Sequence, residues 1–348
     1  MLKKKLAFLL SVMLVFSVVG YAVCAAAGPK QISEKEGETM VVSSFYPMYI
    51  LTKNLLAESE SVTVQNLTES QTGCLHDYQL TTGDMKLLAE AEAFVINGAG
   101  MELFMERILS ELKELPVIEA SAGIELLAET GHTHEHEKTE TEHEVEADRA
   151  EDSGQFEDAD HAESDAHAHE HEENGHVWMD VERYREQAVN VCTELVTLFP
   201  EEKDAILSAW KAYDAKLLTL SAEVEELREE TEGIYVVSFH DAFVYLADSL
   251  GMEVIAVLAL DEETVPSAGE IAEVIEEIHH HGETWILIEE AYASHAEKIV
   301  KETGAKVLYL DPLVTGEEDA DGYLTGMQRN LEKIKKESSD GKVLETTE

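Results

Sequence analysis

Residues 234–251, IYVVSFHDAFVYLADSLG, contain the pattern that decides the fold. The β-rich run 234–238 predicts a strand that ends before His240, and the apolar residues after it predict a helix over 242–250, ended by Gly251. The same strand-then-helix order recurs along the chain. This alternation predicts an α/β fold in which mainly parallel sheets are covered by helices.

Seven further strands are predicted from short β-rich or apolar runs: 40–44, 62–66, 93–96, 116–119, 254–258, 285–288 and 306–310. The other helices are predicted from periodic apolar residues and capping signals: 47–58, 84–92, 102–113, 181–199, 201–231, 267–281, 291–303 and about 320–337.

The helix at 201–231 indicates how the chain divides. Its apolar positions are separated alternately by four and three residues, from Ile206 to Leu227. A helix of this length spans ~45 Å, more than one small domain needs. We interpret 200–231 as a linking helix laid along two lobes; a coiled-coil dimer is the alternative. The predicted N-terminal lobe is 41–199, the C-terminal lobe 232–337, and 338–348 a polar tail.

Composition limits the partners. The 348 residues carry 73 Asp and Glu against 25 Lys and Arg, a formal net charge of −48. This charge argues against nucleic acid as a partner, since phosphate would be repelled, and favours cations. Only 3 cysteines and 6 prolines exclude a disulfide scaffold and a proline-rich linker protein.

Residues 1–28 have the features of an export signal. Three lysines precede a 14-residue apolar run, 6–19, and small residues follow it. The run is shorter than the ~20 residues of a typical spanning helix. Lipidation at Cys24 and release after Ala27 are both open, and a retained membrane anchor is the third alternative. Residues 29–40 are predicted to be a polar tether.

Residues 129–173 interrupt the alternation. They contain 18 Asp and Glu, 2 Lys and Arg, and 8 of the 15 histidines. Such a segment buries too little apolar surface to offset chain entropy, so we predict a disordered insertion in the first lobe. Closely spaced imidazoles with carboxylates between them predict weak zinc chelation; the candidates are His132, His134, His136, His167, His169 and His171.

Candidate ligands lie where an open α/β sheet binds its ligands, at the carboxyl ends of strands. His240 and Asp311 each follow a predicted strand, His76 lies in a loop after another, and His176 precedes a helix. Three imidazoles and a carboxylate suit tetrahedral zinc, and four protein ligands leave no open position for catalysis. A base such as Asp241 or Glu289 would be needed in an enzyme; we prefer a role in orienting a ligand.

These residues lie in motifs that resemble the zinc/manganese solute-binding proteins of bacterial ABC importers. The resemblance covers about 40–335 and rests on Phe45-Tyr46-Pro47, 73–78, 176–180, 238–243, Ile288-Glu289 and 310–313. It implies two α/β lobes joined by a long rigid helix, with the metal in the cleft between them. It also implies that His76, His176, His240 and Asp311 are the ligands, with no catalytic residues.

His240 bears on the choice of metal. Manganese members usually carry Glu at this position, and an imidazole suits Zn²⁺ better than Mn²⁺. Two departures from the family pattern concern the loops. Cys74, two residues before His76, is interpreted as a loop residue whose sulfur points away from the metal; a thiolate ligand and a redox-sensitive thiol are the alternatives. Asn174-Gly175 replaces the more usual Asp-Pro, so we expect a more mobile loop. A Cys74–Cys192 disulfide stays open, with Cys192 most simply a buried thiol.

The resulting hypothesis is an extracytoplasmic receptor that captures Zn²⁺ and delivers it to an ABC-importer membrane permease. We expect a monomer, either periplasmic or lipid-anchored at the outer face of the bacterial cell membrane. The alternatives are a manganese receptor of the same fold, a zinc-dependent hydrolase, and a metal buffer without a transporter.

Overall fold

The computed structural model describes residues 39–68, 78, 80–105, 110, 112–128, 173–258 and 266–345. The predicted export signal, Cys74, His76 and the histidines of the insertion lie outside these ranges. None of the helices within the described ranges is sufficiently long and apolar for a bilayer span.

The N-terminal lobe is built on a four-stranded parallel sheet. Its strands are β1 (Thr39–Ser43), β2 (Val62–Asn66), β3 (Ala93–Ile96) and β4 (Val117–Glu119), in the order β2-β1-β3-β4. The helices of this lobe are α1 (Tyr46–Leu55), α2 (Thr82–Glu90) and α3 (Val181–Leu198). β1 and β3 are almost wholly buried, as expected for parallel strands covered on both faces.

The C-terminal lobe repeats this topology. Its strands are β5 (Tyr235–Ser238), β6 (Glu253–Val257), β7 (Thr284–Ile288) and β8 (Lys306–Tyr309), all parallel and in the order β6-β5-β7-β8. Its helices are α5 (Ala242–Ser249), α6 (Ala268–His281), α7 (Ala293–Thr303) and α8 (Gly322–Glu345). In each sheet the strand order reverses between the first and third strands, which is where open α/β sheets bind ligands.

The long helix α4 (Lys203–Thr231) lies between the lobes in sequence and packs on both. It contacts α1 and α3 of the N-terminal lobe and α5 and α8 of the C-terminal lobe. The seven apolar residues of its repeat are buried within this chain: Ile206, Trp210, Tyr213, Leu217, Leu220, Val224 and Leu227. The stripe is therefore not available for a coiled-coil dimer, which agrees with a helix laid along both lobes.

Two predicted helices differ in the structure. The described part of 102–113 contains one 3₁₀ turn, Leu103–Met105, and the Glu102 carboxylate before it accepts hydrogen bonds from the backbone of Asn97 and Gly98. The last helix does not end at 337 but continues to Glu345. Ser338 lies buried in it and donates to Glu230 of α4, so packing extends the helix past its polar sequence.

Candidate metal centre

Two of the predicted ligands lie side by side at the junction of the lobes. His176 directly precedes the 3₁₀ turn Val177–Met179 at the start of α3, and His240 follows β5. Both side chains are buried, and their ring centroids are 5.0 Å apart with the planes at 70°. Two imidazoles from different lobes thus converge at the carboxyl end of the second sheet.

One carboxylate, that of Glu289, lies near this pair, and Asp311 lies close enough to Glu289 to affect it. Glu289 follows β7, and its Oε1 lies 4.0 Å from Nδ1 of His240. Burial raises the pKa of Glu289 to about 7, and the negative charge of Asp311 adds to the effect. Asp311 follows β8 and is partly buried; its Oδ1 accepts from the backbone N–H of Leu313, and its own backbone is bonded on both sides to the Asn330 amide.

The structure does not assemble the full predicted ligand set. Within the described ranges, His, Cys, Asp and Glu form no group of three or more that could hold a metal ion. His76 and Cys74 lie outside those ranges, so the fourth ligand and a Cys74–Cys192 disulfide stay predictions. Cys192 itself is buried on α3, as predicted.

The loop before His176 departs from expectation. The Asn174-Gly175 sequence predicts added mobility, but Asn174 is buried at 2% exposure and its side chain is bonded on both sides. Its Oδ1 lies 2.9 Å from Nδ1 of His176, and its Nδ2 donates to the carbonyl of Asp241 at 2.9 Å. In the sequence, the only signal for these contacts of Asn174 was its position, as a turn-forming residue, beside a candidate ligand.

Trp178 makes a second connection between the lobes. Its Nε1 donates to the carbonyl of Pro312 at 2.9 Å, and the Tyr323 hydroxyl donates to its carbonyl at 2.7 Å. The ring of Phe45 packs edge-on at 4.9 Å between centroids. Trp178 follows His176 by two residues and Pro312 directly follows Asp311, so this hydrogen bond connects the segments that carry two predicted ligands.

Two parallel α/β lobes, a connecting helix and paired imidazoles at their junction define the class of metal-binding solute receptors. Residues 41–337 match the family described as zinc-uptake complex component A, periplasmic. The chain belongs to this family, which confirms the resemblance seen in the sequence. By this description, its members are components of zinc-uptake complexes.

Individual relatives have low sequence identity to this chain but match most of its length. The high-affinity zinc uptake system protein ZnuA of Bacillus subtilis is 27% identical over 324 residues, covering 90% of this chain and 92% of the relative. The zinc-binding protein AdcA of Streptococcus pyogenes is 27% identical over 307 residues, covering 86% of this chain. The chain spans only about half of AdcA, 56% of its length.

A solved structure with the same fold is the solute-binding protein FpvC from Pseudomonas aeruginosa in complex with Mn²⁺. It superimposes with a TM-score of 0.68 at 22% identity, covering 88% of this chain and 100% of FpvC. At this identity the likeness establishes the two-lobed fold, and it confirms the fold class predicted from the strand–helix alternation.

Proposed function

We propose that this protein is an extracytoplasmic receptor that captures Zn²⁺ between its lobes and delivers it to the membrane permease of an ABC importer. The observation that carries the proposal is the buried pair His176 and His240, one imidazole from each lobe, in a member of a zinc-uptake family. We assign the ligands as His76, His176, His240 and Asp311.

The chemistry of this set favours binding over turnover. Three neutral imidazole nitrogens and one carboxylate oxygen match the tetrahedral preference of Zn²⁺, and a fully coordinated ion has no position for an attacking water. Glu289 beside His240 then acts as an orienting partner for the imidazole. A bound cation also stabilises the ionised form of Glu289, whose pKa burial raises.

The proposal extends to location and delivery. The predicted export signal supports a mature chain that works outside the cytoplasm as a monomer, released after Ala27 or anchored by lipid on Cys24. The histidine-rich insertion collects Zn²⁺ weakly and passes it to the site between the lobes. Lipoproteins among the relatives, such as AdcA of Streptococcus pneumoniae, support the anchored form.

Zinc affinity measured by competition with a chelator tests the ligand assignment. We expect His240→Ala to abolish tight binding, while His279→Ala, which removes an exposed histidine from α6, leaves the affinity unchanged. Deleting 130–172 should leave one tight site. The proposal is falsified if the loop-deleted protein keeps no site tighter than micromolar.

Manganese is the second candidate, since FpvC binds Mn²⁺ on this fold. A competitive titration with both ions decides between them: Zn²⁺ should displace Mn²⁺, and a preference for Mn²⁺ would overturn the zinc assignment. For the hydrolase alternative, Co²⁺ substitution is informative. A spectrum of a four-coordinate site without exchangeable water supports the receptor, and a site with an exchangeable water on the metal supports an enzyme.

A further inference from the structure

The side-chain amide of Asn174 makes hydrogen bonds to two different segments of the chain. Its Nδ2 donates to the Asp241 carbonyl at 2.9 Å, while its Oδ1 accepts from the backbone N–H of His176 at 3.0 Å and lies 2.9 Å from the His176 ring at Nδ1. Asp241 directly follows His240. One buried side chain therefore connects the segments that carry the two converging imidazoles.

These partners determine which way the amide and the ring are oriented. A backbone carbonyl accepts but never donates, so the amide atom facing Asp241 is the NH₂ group. The atom facing His176 is then the amide oxygen, which in turn requires a proton on Nδ1 of the ring. With the proton on Nδ1, Nε2 is the ring nitrogen whose lone pair can ligate a metal.

The loop around Asn174 is held on both sides. The backbone N–H of Asn174 donates to the Leu127 carbonyl, and its carbonyl accepts from the hydroxyl of Tyr245 on α5. The Asn97 amide donates to the Gly175 carbonyl at 2.9 Å. A Cβ at Gly175 would meet the Ala99 carbonyl oxygen at 2.6 Å, so the backbone packs too closely for any side chain.

We propose that Asn174 is a positioning residue that holds His176 in the Nδ1–H tautomer and fixes it relative to His240 across the lobe junction. This inference rests on the proposed zinc function. It deepens that function by naming the group that orients the His176 imidazole relative to the His240 imidazole before the metal binds. Asp at this position would keep the acceptor for Nδ1 but lose the donor to Asp241 and face its carbonyl with negative charge. The amide is the group that satisfies both partners.

The tautomer can be measured in the metal-free protein by ¹⁵N NMR of the imidazole nitrogens, at a pH well above the ordinary histidine pKa of ~6.5. We expect Nδ1–H for His176 in the wild type and in Asn174→Asp, and a shift toward Nε2–H in Asn174→Leu. Asn190→Ala is the matched control, because the Asn190 amide on α3 donates to the Ala120 and Ala122 carbonyls and not to His176. Its His176 signals should match the wild type.

Zinc affinity is the second readout. Losing a partner that orients a metal-bound histidine costs roughly 10–100-fold in affinity, so we expect a loss of that order in Asn174→Leu and an intermediate one in Asn174→Asp. A wild-type His176 carrying its proton on Nε2, or a tautomer unchanged in Asn174→Leu, overturns the inference. A correct tautomer in a wild-type protein without a tight zinc site contradicts the proposed function instead.

Discussion

Replacing Trp178 with Phe tests how strongly the two lobes are joined at the candidate site. The substitution keeps an aromatic ring against Phe45 but removes the N–H that donates to Pro312 at 2.9 Å. Pro312 is buried, so its carbonyl is left without this donor and without ready access to water. An unsatisfied buried group of this kind costs about 1–3 kcal/mol.

The smaller ring adds a packing cost. Trp178 is fully buried, and each methyl-sized void in a core costs about 1 kcal/mol. The free energy of unfolding should therefore fall by about 2–4 kcal/mol in the metal-free protein. Chemical denaturation measures this change from the shift of the midpoint at unchanged slope, which indicates that the same surface is exposed on unfolding.

A control separates the hydrogen bond from the loss of ring volume. Trp285 is also buried, within β7, and its ring faces Lys306 with 6.0 Å between Nζ and the ring centroid. Trp285→Phe should cost only the packing part, and zinc affinity should stay unchanged. Trp178→Phe should weaken zinc binding as well. A loss of stability no larger than in Trp285→Phe would refute the role of the Trp178–Pro312 hydrogen bond.

Three further results are expected. Asp214→Ala removes the only buried carboxylate among the described residues that pairs with the buried Arg185 guanidinium and leaves it the half-exposed Glu182, so the free energy of unfolding should fall by ~3–5 kcal/mol. Lys216→Ala breaks an exposed pair and should cost ~0–1 kcal/mol, and equal losses in denaturation would contradict this contrast. Burial raises the pKa of Glu102 from 4.5 to about 7, so the native state keeps a proton that the unfolded state has lost; stability should fall by roughly 3 kcal/mol between pH 4.5 and 7 relative to Glu102→Gln, and parallel pH profiles would count against it. Zinc affinity should weaken as pH drops through the histidine range of ~6–7, because imidazole ligands must be neutral, and a flat titration profile would argue against histidine ligands.

The fold was largely predictable because its signals are local. Strands 62–66 and 93–96 agree with β2 and β3 at both ends, since short apolar or β-branched runs bounded by polar residues mark buried parallel strands. The repeat in α4 predicted which face is buried, although sequence left open whether a second chain covers it.

The failures arose where a distant partner decides the outcome. Glu102 was read as part of a helix, but its carboxylate accepts from the hydroxyl of Ser44, 58 residues earlier, as well as from the nearby backbone of Asn97 and Gly98. Asn174 was seen only as a departure from a motif, because its partner Asp241 lies 67 residues away. Ser338 extends α8 through a contact with Glu230, 108 residues earlier. Local propensity carries no information about such contacts.

The central claim is that one zinc ion is held by three imidazoles and one carboxylate contributed by both lobes. X-ray absorption spectroscopy of the loop-deleted protein loaded with one equivalent of zinc measures this coordination directly. We predict four nitrogen and oxygen ligands at ~2.0–2.2 Å with the multiple scattering of several imidazoles and no sulfur. A sulfur shell at ~2.3 Å, which would make Cys74 a ligand, or a shell of five or six oxygen-rich ligands would contradict the account.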